Sequence, residues 1–135
     1  MPKFGSKSKV RLETCDQRLQ KVFNEVIKYY DCTVNCGYRN EEDQNKAFDE
    51  GRSKAKYPKG KHNKLPSNAV DVYPYPIDFE NYDRLSHFAG FVIAIAKTMG
   101  INLRWGRDWH NEFYTKRNDS TTFKDYPHFA LIDEK

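Results

Sequence analysis

Two stretches of the chain carry apolar residues at a spacing of three to four, which places them on one face of a helix. The first stretch follows Thr14 and Gln17, and this T-x-x-Q pattern is typical of a capping box at a helix start. The second covers residues 81–99 and is closed by Gly100. The predicted buried faces are Leu19, Val22, Phe23, Val26, Ile27 and Tyr30 in the first helix, and Leu85, Phe88, Val92, Ile95, Ala96 and Met99 in the second.

A further helix, between these two, is indicated by its ends. In the segment GYRNEEDQNKAF, Asn40 is a suitable N-cap and Asp43 stands at the third helical position, while Gly51 is a stop signal. Four short apolar runs predict strands, at residues 32–36, 69–73, 101–105 and 128–132. Residues 52–68 form a long basic segment without periodicity, and long loops in small domains are often functional.

The order of these elements favours an α+β domain, with a small, mostly antiparallel sheet packed by about three helices. A chain of 135 residues can bury a core without disulfide bonds, and we expect a single domain over residues 1–135. Residues 1–13 are basic, and we expect them to form a mobile lead-in.

Composition limits the class of protein and of partner. Aromatic residues make up 15% of the chain, which argues against a disordered protein. The net charge of +4 favours an anionic partner, which could be nucleic acid, a cell-wall polymer or a membrane surface, and charge alone does not choose among them. The basic residues do not cluster on one predicted helix and no nucleic-acid-binding module is recognisable, so we expect no nucleic-acid partner. The longest apolar run, residues 88–96, is too short to span a bilayer, so we expect no membrane insertion. A monomer is the default expectation.

Cysteine usage and the N-terminal residues indicate the compartment. Cys15, Cys32 and Cys36 are an odd number, and the last two would lie about 13 Å apart on a strand, too far for a disulfide bond. A reducing compartment fits this pattern. The N-terminal segment lacks the apolar core of a signal peptide, so we expect the protein in a cytoplasm unless another agent releases it.

One acidic residue stands out in the apolar run AVDVY. Asp71 lies in its middle, and a carboxylate in a buried strand is unfavourable unless it has a partner. His62, Asp125 and His128 also fall where loops meet predicted strands. Two histidines and one carboxylate are a common ligand set for catalytic zinc, so we expect His62, Asp71 and His128 to bind one zinc ion, which would neutralise Asp71.

Two further residues complete this hypothetical site. Asp125 lies three residues before His128, close to the metal without binding it, and is the candidate general base. Arg39 follows the first predicted strand and is a candidate to stabilise an oxyanion or a substrate carboxylate. A rival pair is Asp108 and His110, which would face the same way on a strand.

Each of these residues also has an ordinary structural explanation. Asp71 could pair with an arginine, and His128 could be a hydrogen-bonded core residue. Asp125 lies in the turn-like sequence KDYP, and Arg39 could form a surface ion pair. His62 could be a solvated side chain ahead of a strand. Spacing alone leaves these alternatives open.

Four segments, taken together and in this order, resemble the family of zinc D-alanyl-D-alanine carboxypeptidases and phage L-alanyl-D-glutamate endopeptidases. These peptidases cut the stem peptides of peptidoglycan. The segments are GYRNEEDQNKAFDEGRSK, KHNKLPSNAVDVYPYP, LRWGRDW and FKDYPHFAL, and they are similar to the family's Gly-x-Arg, His…Ala-x-Asp, Trp-Gly-x-Asp-Trp and Asp-x-x-His motifs.

The resemblance implies His62, Asp71 and His128 as zinc ligands, Asp125 as the base and Arg39 as the substrate or oxyanion contact. An aspartate at the base position is similar to the phage endopeptidase branch. This implies an endolysin that cuts the L-Ala–D-Glu bond and waits in the host cytoplasm until it can reach the wall. A D,D-carboxypeptidase of the same family, or a zinc or cell-wall-binding module without activity, are the alternatives.

The chain departs from the commoner family form S-x-H-x-x-G-x-A-x-D at two points. Gly60 stands where the serine would be, which removes a hydrogen-bonding side chain near the metal. The segment from His62 to Asp71 is two residues longer and carries Pro66 and Ser67 in place of the glycine. These departures affect how His62 would approach the metal.

Overall fold

A computed structural model of the chain describes residues 2–108, 113 and 124–132. The described residues form four helices and four strands. In chain order these elements are α1 (Ser6–Glu13), α2 (Gln17–Val26), β1 (Cys32–Cys36), α3 (Glu41–Asp49), β2 (Ala69–Pro74), α4 (Tyr82–Thr98), β3 (Leu103–Trp105) and β4 (His128–Leu131).

The four strands make one antiparallel sheet in the order β1-β2-β4-β3. Helices α2 and α4 pack on one face of it. There the Phe129 ring meets the rings of Phe23 and Phe88 at centroid distances of 5.6 and 6.2 Å. The predicted α+β class and mostly antiparallel sheet are therefore confirmed, and the apolar faces of the two periodic helices supply much of the core.

The alternation of side chains along β2 separates the core from a polar site. Val70 and Val72 face the hydrophobic core, so Asp71 between them points to the opposite face of the sheet. The register of the sheet pairs Asp71 with His128 on β4 and pairs Val70 with Phe129. One aspartate and one histidine are thereby placed side by side on the face that the core helices do not cover.

The ends of two helices agree with the predicted signals. The Asn40 side chain accepts a hydrogen bond from the Asp43 backbone N–H at 2.9 Å, as expected of an N-cap. Gly51 and Gly100 follow the ends of α3 and α4 with φ angles of 76° and 70°, in the left-handed region that favours glycine.

The predicted capping box of the first periodic helix is wrong. Asp16 is the N-cap of α2, and its carboxylate accepts from the Arg18 backbone N–H at 2.8 Å. Thr14 instead ends the preceding helix and its hydroxyl accepts from the Tyr38 backbone N–H at 2.9 Å. A threonine and an aspartate two positions apart are both good caps, and the tertiary contact to Tyr38 decides between them.

The expected mobile lead-in contains helix α1, which packs along the outer edge of β1. Ser8 accepts a hydrogen bond from the Val34 N–H at 3.1 Å, and Arg11 donates to the Val34 carbonyl at 3.2 Å. These bonds satisfy backbone groups of an edge strand. The helix was missed because it docks through polar contacts and Leu12, without an apolar stripe.

The three cysteines are free thiols. Cys15 and Cys32 are buried, and burial raises the pKa of each thiol to about 12. They therefore pack as small apolar side chains, as expected from the sequence.

Within the described part of the chain, no helix combines the length and hydrophobicity that crossing a bilayer would need.

Candidate functional site

His62, Asp71 and His128 come together on the polar face of the sheet, and all three are buried. The Asp71 Oδ1 atom lies 3.3 Å from His62 Nε2 and 3.4 Å from His128 Nδ1. The two histidine nitrogens are 3.3 Å apart. The three potential ligand atoms lie within 4.8 Å of one another, which is a spacing that a single metal ion can bridge.

A hydrogen bond from its second ring nitrogen fixes the orientation of the His62 ring. His62 comes from the long loop before β2, and its Nδ1 lies 2.7 Å from the Gly37 carbonyl oxygen, to which it donates. The His62 carbonyl in turn accepts from the Arg39 N–H at 2.8 Å. Because Nδ1 carries the donated proton, Nε2 is directed at Asp71. Orientation of a histidine by a backbone carbonyl is typical of metal ligands.

Asp71 shows why the site suits a cation. Its Oδ2 lies 3.6 Å from Arg39 Nη2, so the arginine pair considered from the sequence is present. Its Oδ1 is buried and accepts no hydrogen bond, although it faces two imidazole nitrogens. A buried carboxylate oxygen without a donor is rare in folded proteins. A divalent cation among these three atoms would satisfy it, and two histidines with one carboxylate fit zinc.

The charges of this cluster are tightly linked in the metal-free protein. Burial disfavours the charged form of His62, but the Asp71 carboxylate outweighs it and raises the pKa of His62 to about 10. Burial likewise disfavours the ionised form of Asp71, yet the two histidines hold the pKa of Asp71 well below its usual range. Asp71 is thus a carboxylate that needs positive charge beside it, from protons or from a metal.

Asp125 stands beside this cluster at its solvent side. Its Oδ2 lies 3.8 Å from His128 Nδ1, and its side chain is 23% exposed. Burial, and then the negative charge of Asp71, raise the pKa of Asp125 to about 6. A carboxyl group that can gain and lose a proton near neutral pH is suited to acid–base chemistry.

Arg39 lies inside the site and is not the surface ion pair that was considered. Its side chain is only 12% exposed. Nη1 donates to Gln44 Oε1 at 3.0 Å, while Nη2 faces Asp71. This clamp directs the guanidinium towards the cleft that also contains Asp125.

Two residues that connect the long loop to the site are Gln44, which the sequence reasoning noted only as part of the resemblance and gave no role, and Asn63, which it missed. Gln44 is fully buried on α3, and its Oε1 accepts from Arg39 and, at 3.1 Å, from Asn63 Nδ2. Its Nε2 donates to the Ser53 hydroxyl at 2.9 Å. Asn63 Nδ2 also donates to the Arg39 carbonyl at 3.0 Å. The sequence signal for Gln44 was its position as a polar residue on the inner side of a short helix. Its partners could not be predicted, because they lie in a loop whose sequence has no periodic pattern.

Two glycines allow close approach around the site. A side chain at Gly60 would overlap the side-chain ends of Asn63 and Gln44, so the serine of the commoner family form would have to displace them. A side chain at Gly106 would overlap the Asp125 backbone and the His128 Cβ. Gly106 also exchanges backbone hydrogen bonds with Asp125 and His128, at 2.9 and 2.8 Å. Gly106 therefore positions the turn that carries the candidate base.

The other candidates lie away from the cluster or are not described. His87 is exposed on α4, where its Nδ1 lies 3.0 Å from the Tyr30 hydroxyl, so it is not part of the cluster. Asp108 lines a separate cavity of about 510 Å³ beside α4 and Trp105. His110 lies outside the described residues, so the rival pair remains a prediction.

A cleft of about 500 Å³ opens onto the cluster and has a basic wall. Arg39, Asp71 and Asp125 lie in this cleft with the two histidines. The long loop contributes positive charges to its wall, from Arg52, Lys54, Lys59 and Lys61. The volume is typical of a site for a small or peptide-sized ligand.

Comparison with known proteins places this geometry in a family. The family model described as phage L-alanyl-D-glutamate peptidase matches residues 1–132. The L-alanyl-D-glutamate peptidase of Escherichia phage T5 is 32% identical over 114 residues, 80% of this chain and 82% of that protein. The crystal structure of the Serratia marcescens L-Ala D-Glu endopeptidase ChiX superimposes with a TM-score of 0.73 at 25% identity, covering 96% of this chain and 90% of that one. The chain belongs to the phage L-alanyl-D-glutamate peptidase family.

Proposed function

We propose that this protein is a zinc-dependent endolysin that hydrolyses peptidoglycan stem peptides at the L-Ala–D-Glu bond. Membership of the peptidase family supports the reaction class. The proposal of a metal rests on the buried Asp71 Oδ1, which faces two imidazole nitrogens and accepts no hydrogen bond.

In this proposal, His62, Asp71 and His128 would hold one zinc ion, because their potential ligand atoms converge on one point of the cleft. When bound, zinc supplies a Lewis acid for the scissile carbonyl and lowers the pKa of a water molecule to about 7. Three protein ligands of N and O type are typical of catalytic zinc sites, which keep a further position open.

Asp125 is the proposed proton carrier. It takes a proton from the attacking water and delivers it to the nitrogen of the D-Glu residue as the peptide bond breaks. Its partial exposure gives it access to substrate, while its raised pKa of about 6 lets it both accept and release a proton near neutral pH.

Arg39 is proposed to stabilise negative charge on the substrate. Its buried guanidinium is fixed by Gln44 and so is oriented before the substrate arrives. A preoriented cation in a partly buried cleft stabilises an oxyanion or a carboxylate more strongly than a mobile surface cation does.

Asp125 also argues against a binding module without activity. A structural zinc site needs only its ligands, and an additional, partly buried carboxylate whose ionisation is disfavoured would have no role in it. A D,D-carboxypeptidase would use the same groups on a different bond, so the products must distinguish it.

We further propose that the enzyme acts as a monomer and is made in the host cytoplasm, from which it reaches the wall only when the membrane is opened. Its net charge of +4 would favour association with the anionic wall.

The decisive experiment is mass spectrometry of purified peptidoglycan after digestion, with and without a zinc chelator. We expect new fragments from cleavage between L-Ala and D-Glu, their loss with chelator and their return when zinc is added. Release of D-Ala alone would identify a carboxypeptidase. Intact stem peptides after incubation with folded, zinc-loaded protein would overturn the proposed activity.

A further inference from the structure

A second cavity adjoins the basic cleft on the other side of Asp125. It also measures about 500 Å³. Four residues line both cavities, so the two share a wall that includes the candidate base: Tyr73, Lys124, Asp125 and Pro127. We refer to the two adjoining cavities together as one groove with two halves.

The second half of the groove has aromatic walls, formed by Tyr73, Phe79, Tyr82 and Tyr126. Tyr73 and Phe79 meet edge to face with ring centroids 4.9 Å apart, and Tyr82 lies 4.9 Å from Tyr126. Phe79 is nevertheless 63% exposed and Tyr82 52% exposed. These two rings contribute little to the core, and their free faces are available to a ligand.

The two halves differ sharply in charge. The basic half has Arg39, Arg52, Lys54, Lys59 and Lys61 in its wall in addition to the shared Lys124. The aromatic half has Lys124 as the only cation among its lining residues that the structure describes. A substrate that crosses Asp125 therefore meets a cationic surface on one side and a neutral aromatic surface on the other.

We propose that the aromatic half binds the N-acetylmuramic acid ring that carries the stem peptide, and that the basic half binds the carboxylates beyond the scissile bond. This inference rests on the proposed function and deepens it, because it fixes the direction of the substrate in the groove.

Distance supports a sugar in the aromatic half. In peptidoglycan, L-Ala is joined directly to the lactyl group of muramic acid, so one residue and one lactyl unit separate the sugar from the L-Ala–D-Glu bond. Each such unit spans about 3.5 Å at most, which places the ring within about 7–10 Å of the bond that is cut. Asp125 lines both halves, so the aromatic half adjoins the position at which the bond is proposed to be cut.

The chemistry of the two sides also matches. The C–H face of a pyranose ring is apolar and weakly positive, and it packs on the negative face of an aromatic ring, while tyrosine hydroxyls can bond to its polar edge. On the other side of the bond, D-Glu carries a free α-carboxylate and the next residue can add another. Carboxylates are favoured beside the lysines and arginines of the basic half.

The test compares three synthetic substrates that differ in one group each. They are N-acetylmuramyl-L-Ala-γ-D-Glu-L-Lys, the same peptide with N-acetyl in place of the sugar, and the muramyl peptide with its D-Glu α-carboxylate amidated. We expect zinc-loaded enzyme to cleave the muramyl peptide with a kcat/KM about tenfold above that of either other substrate.

Substitutions then assign each preference to one half of the groove. Phe79→Ala and Tyr82→Ala should remove the preference for the sugar and leave kcat/KM on the N-acetyl peptide unchanged. Lys59→Gln with Lys61→Gln should remove the preference for the carboxylate over the amide. Tyr29→Ala and Lys64→Gln are matched controls, because both residues are exposed and line neither half.

Three outcomes would contradict the inference. Equal kcat/KM on the muramyl and N-acetyl peptides would exclude a sugar site beside the scissile bond. An equal loss on both substrates in Phe79→Ala would assign that ring to the peptide. Retention of the carboxylate preference in the double lysine variant would exclude the basic half. Absence of cleavage of all three by folded, zinc-loaded protein would instead refute the proposed function.

Discussion

Asp71 is the residue on which the site depends, because it is a carboxylate in a strand and both of its neighbours along the strand are buried. Arg39 pairs with one of its oxygens, and the other faces His62 and His128 without a hydrogen bond. Removing a proton-bearing partner from such a group would leave a buried charge uncompensated. The same buried negative charge that makes Asp71 unfavourable for folding would suit it to bind a metal ion.

Asp125→Asn should separate catalysis from metal binding. We expect kcat/KM to fall by about 10²-fold or more because the amide cannot accept the proton. Zinc binding, measured by metal analysis after dialysis, should persist because Asp125 is not among the three proposed ligands. Full activity in this variant would show that another group is the base.

The same substitution should raise the stability of the metal-free protein at neutral pH. The pKa of Asp125 is about 6 in the folded state, above its ordinary value of 3.8, so the folded state holds the proton more tightly. The resulting stabilisation is complete below about pH 4 and is lost as pH rises through about 6. Asn carries no charge, so the free energy of unfolding at pH 7 should increase by about 3 kcal/mol, and the gain should fall below about 1 kcal/mol at pH 4. Denaturant titration at both pH values measures it.

Activity should also depend on pH through this group. As pH falls through about 6, Asp125 becomes protonated and can no longer act as a base, so log kcat/KM should decline with a slope of one. The positive charge of bound zinc would move this midpoint downwards. A pH profile of the muramyl peptide, taken with constant zinc, measures the midpoint, and an activity that stays constant from pH 7 to pH 4 would contradict the assignment.

At the scale of elements, the register of the sheet positions most of the candidate site. Antiparallel pairing of β2 with β4 sets Asp71 opposite His128, and a shift by one residue would bring Val70 or Val72 there instead. The turn that precedes β4 then places Asp125, and this turn is held by backbone hydrogen bonds to Gly106 after β3.

Gly106→Ala should therefore damage the site through the backbone. The added methyl group would overlap the Asp125 carbonyl and the His128 Cβ, and neither can move without shifting the turn. We expect a loss of about 2–3 kcal/mol in the free energy of unfolding together with weaker zinc binding. Gly90→Ala is the matched control, because Gly90 lies exposed in α4 with open space around it, and alanine there should stabilise by about 0.5–1 kcal/mol. Equal stability of the two variants would contradict this role of Gly106.

At the scale of the molecule, the proposed metal would join the long loop to two strands that are already paired in the sheet. His62 belongs to the long loop, Asp71 to β2 and His128 to β4. The loop is otherwise fastened by the buried polar contacts of Gln44 and Asn63. Zinc should consequently stabilise the whole fold, since its ligands are gathered only in the folded state.

Zinc at about 100 times its Kd should add about 2.7 kcal/mol to the free energy of unfolding, which corresponds to about 10 °C in Tm for a domain of this size. Differential scanning calorimetry of the chelated and zinc-loaded protein measures the shift. His128→Ala should abolish it, and His87→Ala, which changes an exposed histidine outside the cluster, should leave it intact. A zinc-dependent shift that survives in His128→Ala would place the metal elsewhere.

The sequence by itself determined the parts of the fold that rest on local signals. The apolar spacing of α2 and α4, the Asn40 cap and the glycines after α3 and α4 each act over a few residues, and so they were readable. It also determined the α+β class and singled out Asp71, because a lone carboxylate in an apolar strand requires a partner whatever the fold.

Only the tertiary structure decided which distant groups meet. Helix α1, the choice of Asp16 over Thr14 as cap, the buried Gln44 and Asn63, and the contact of Gly106 with the Asp125 turn all depend on long-range polar contacts. Such contacts produce no periodic pattern in the sequence, because each depends on a single suitable residue at one position. The meeting of His62, Asp71 and His128 is of the same kind: spacing made these three residues candidates, and strand register and the loop anchored at Gly37 set the distances between them.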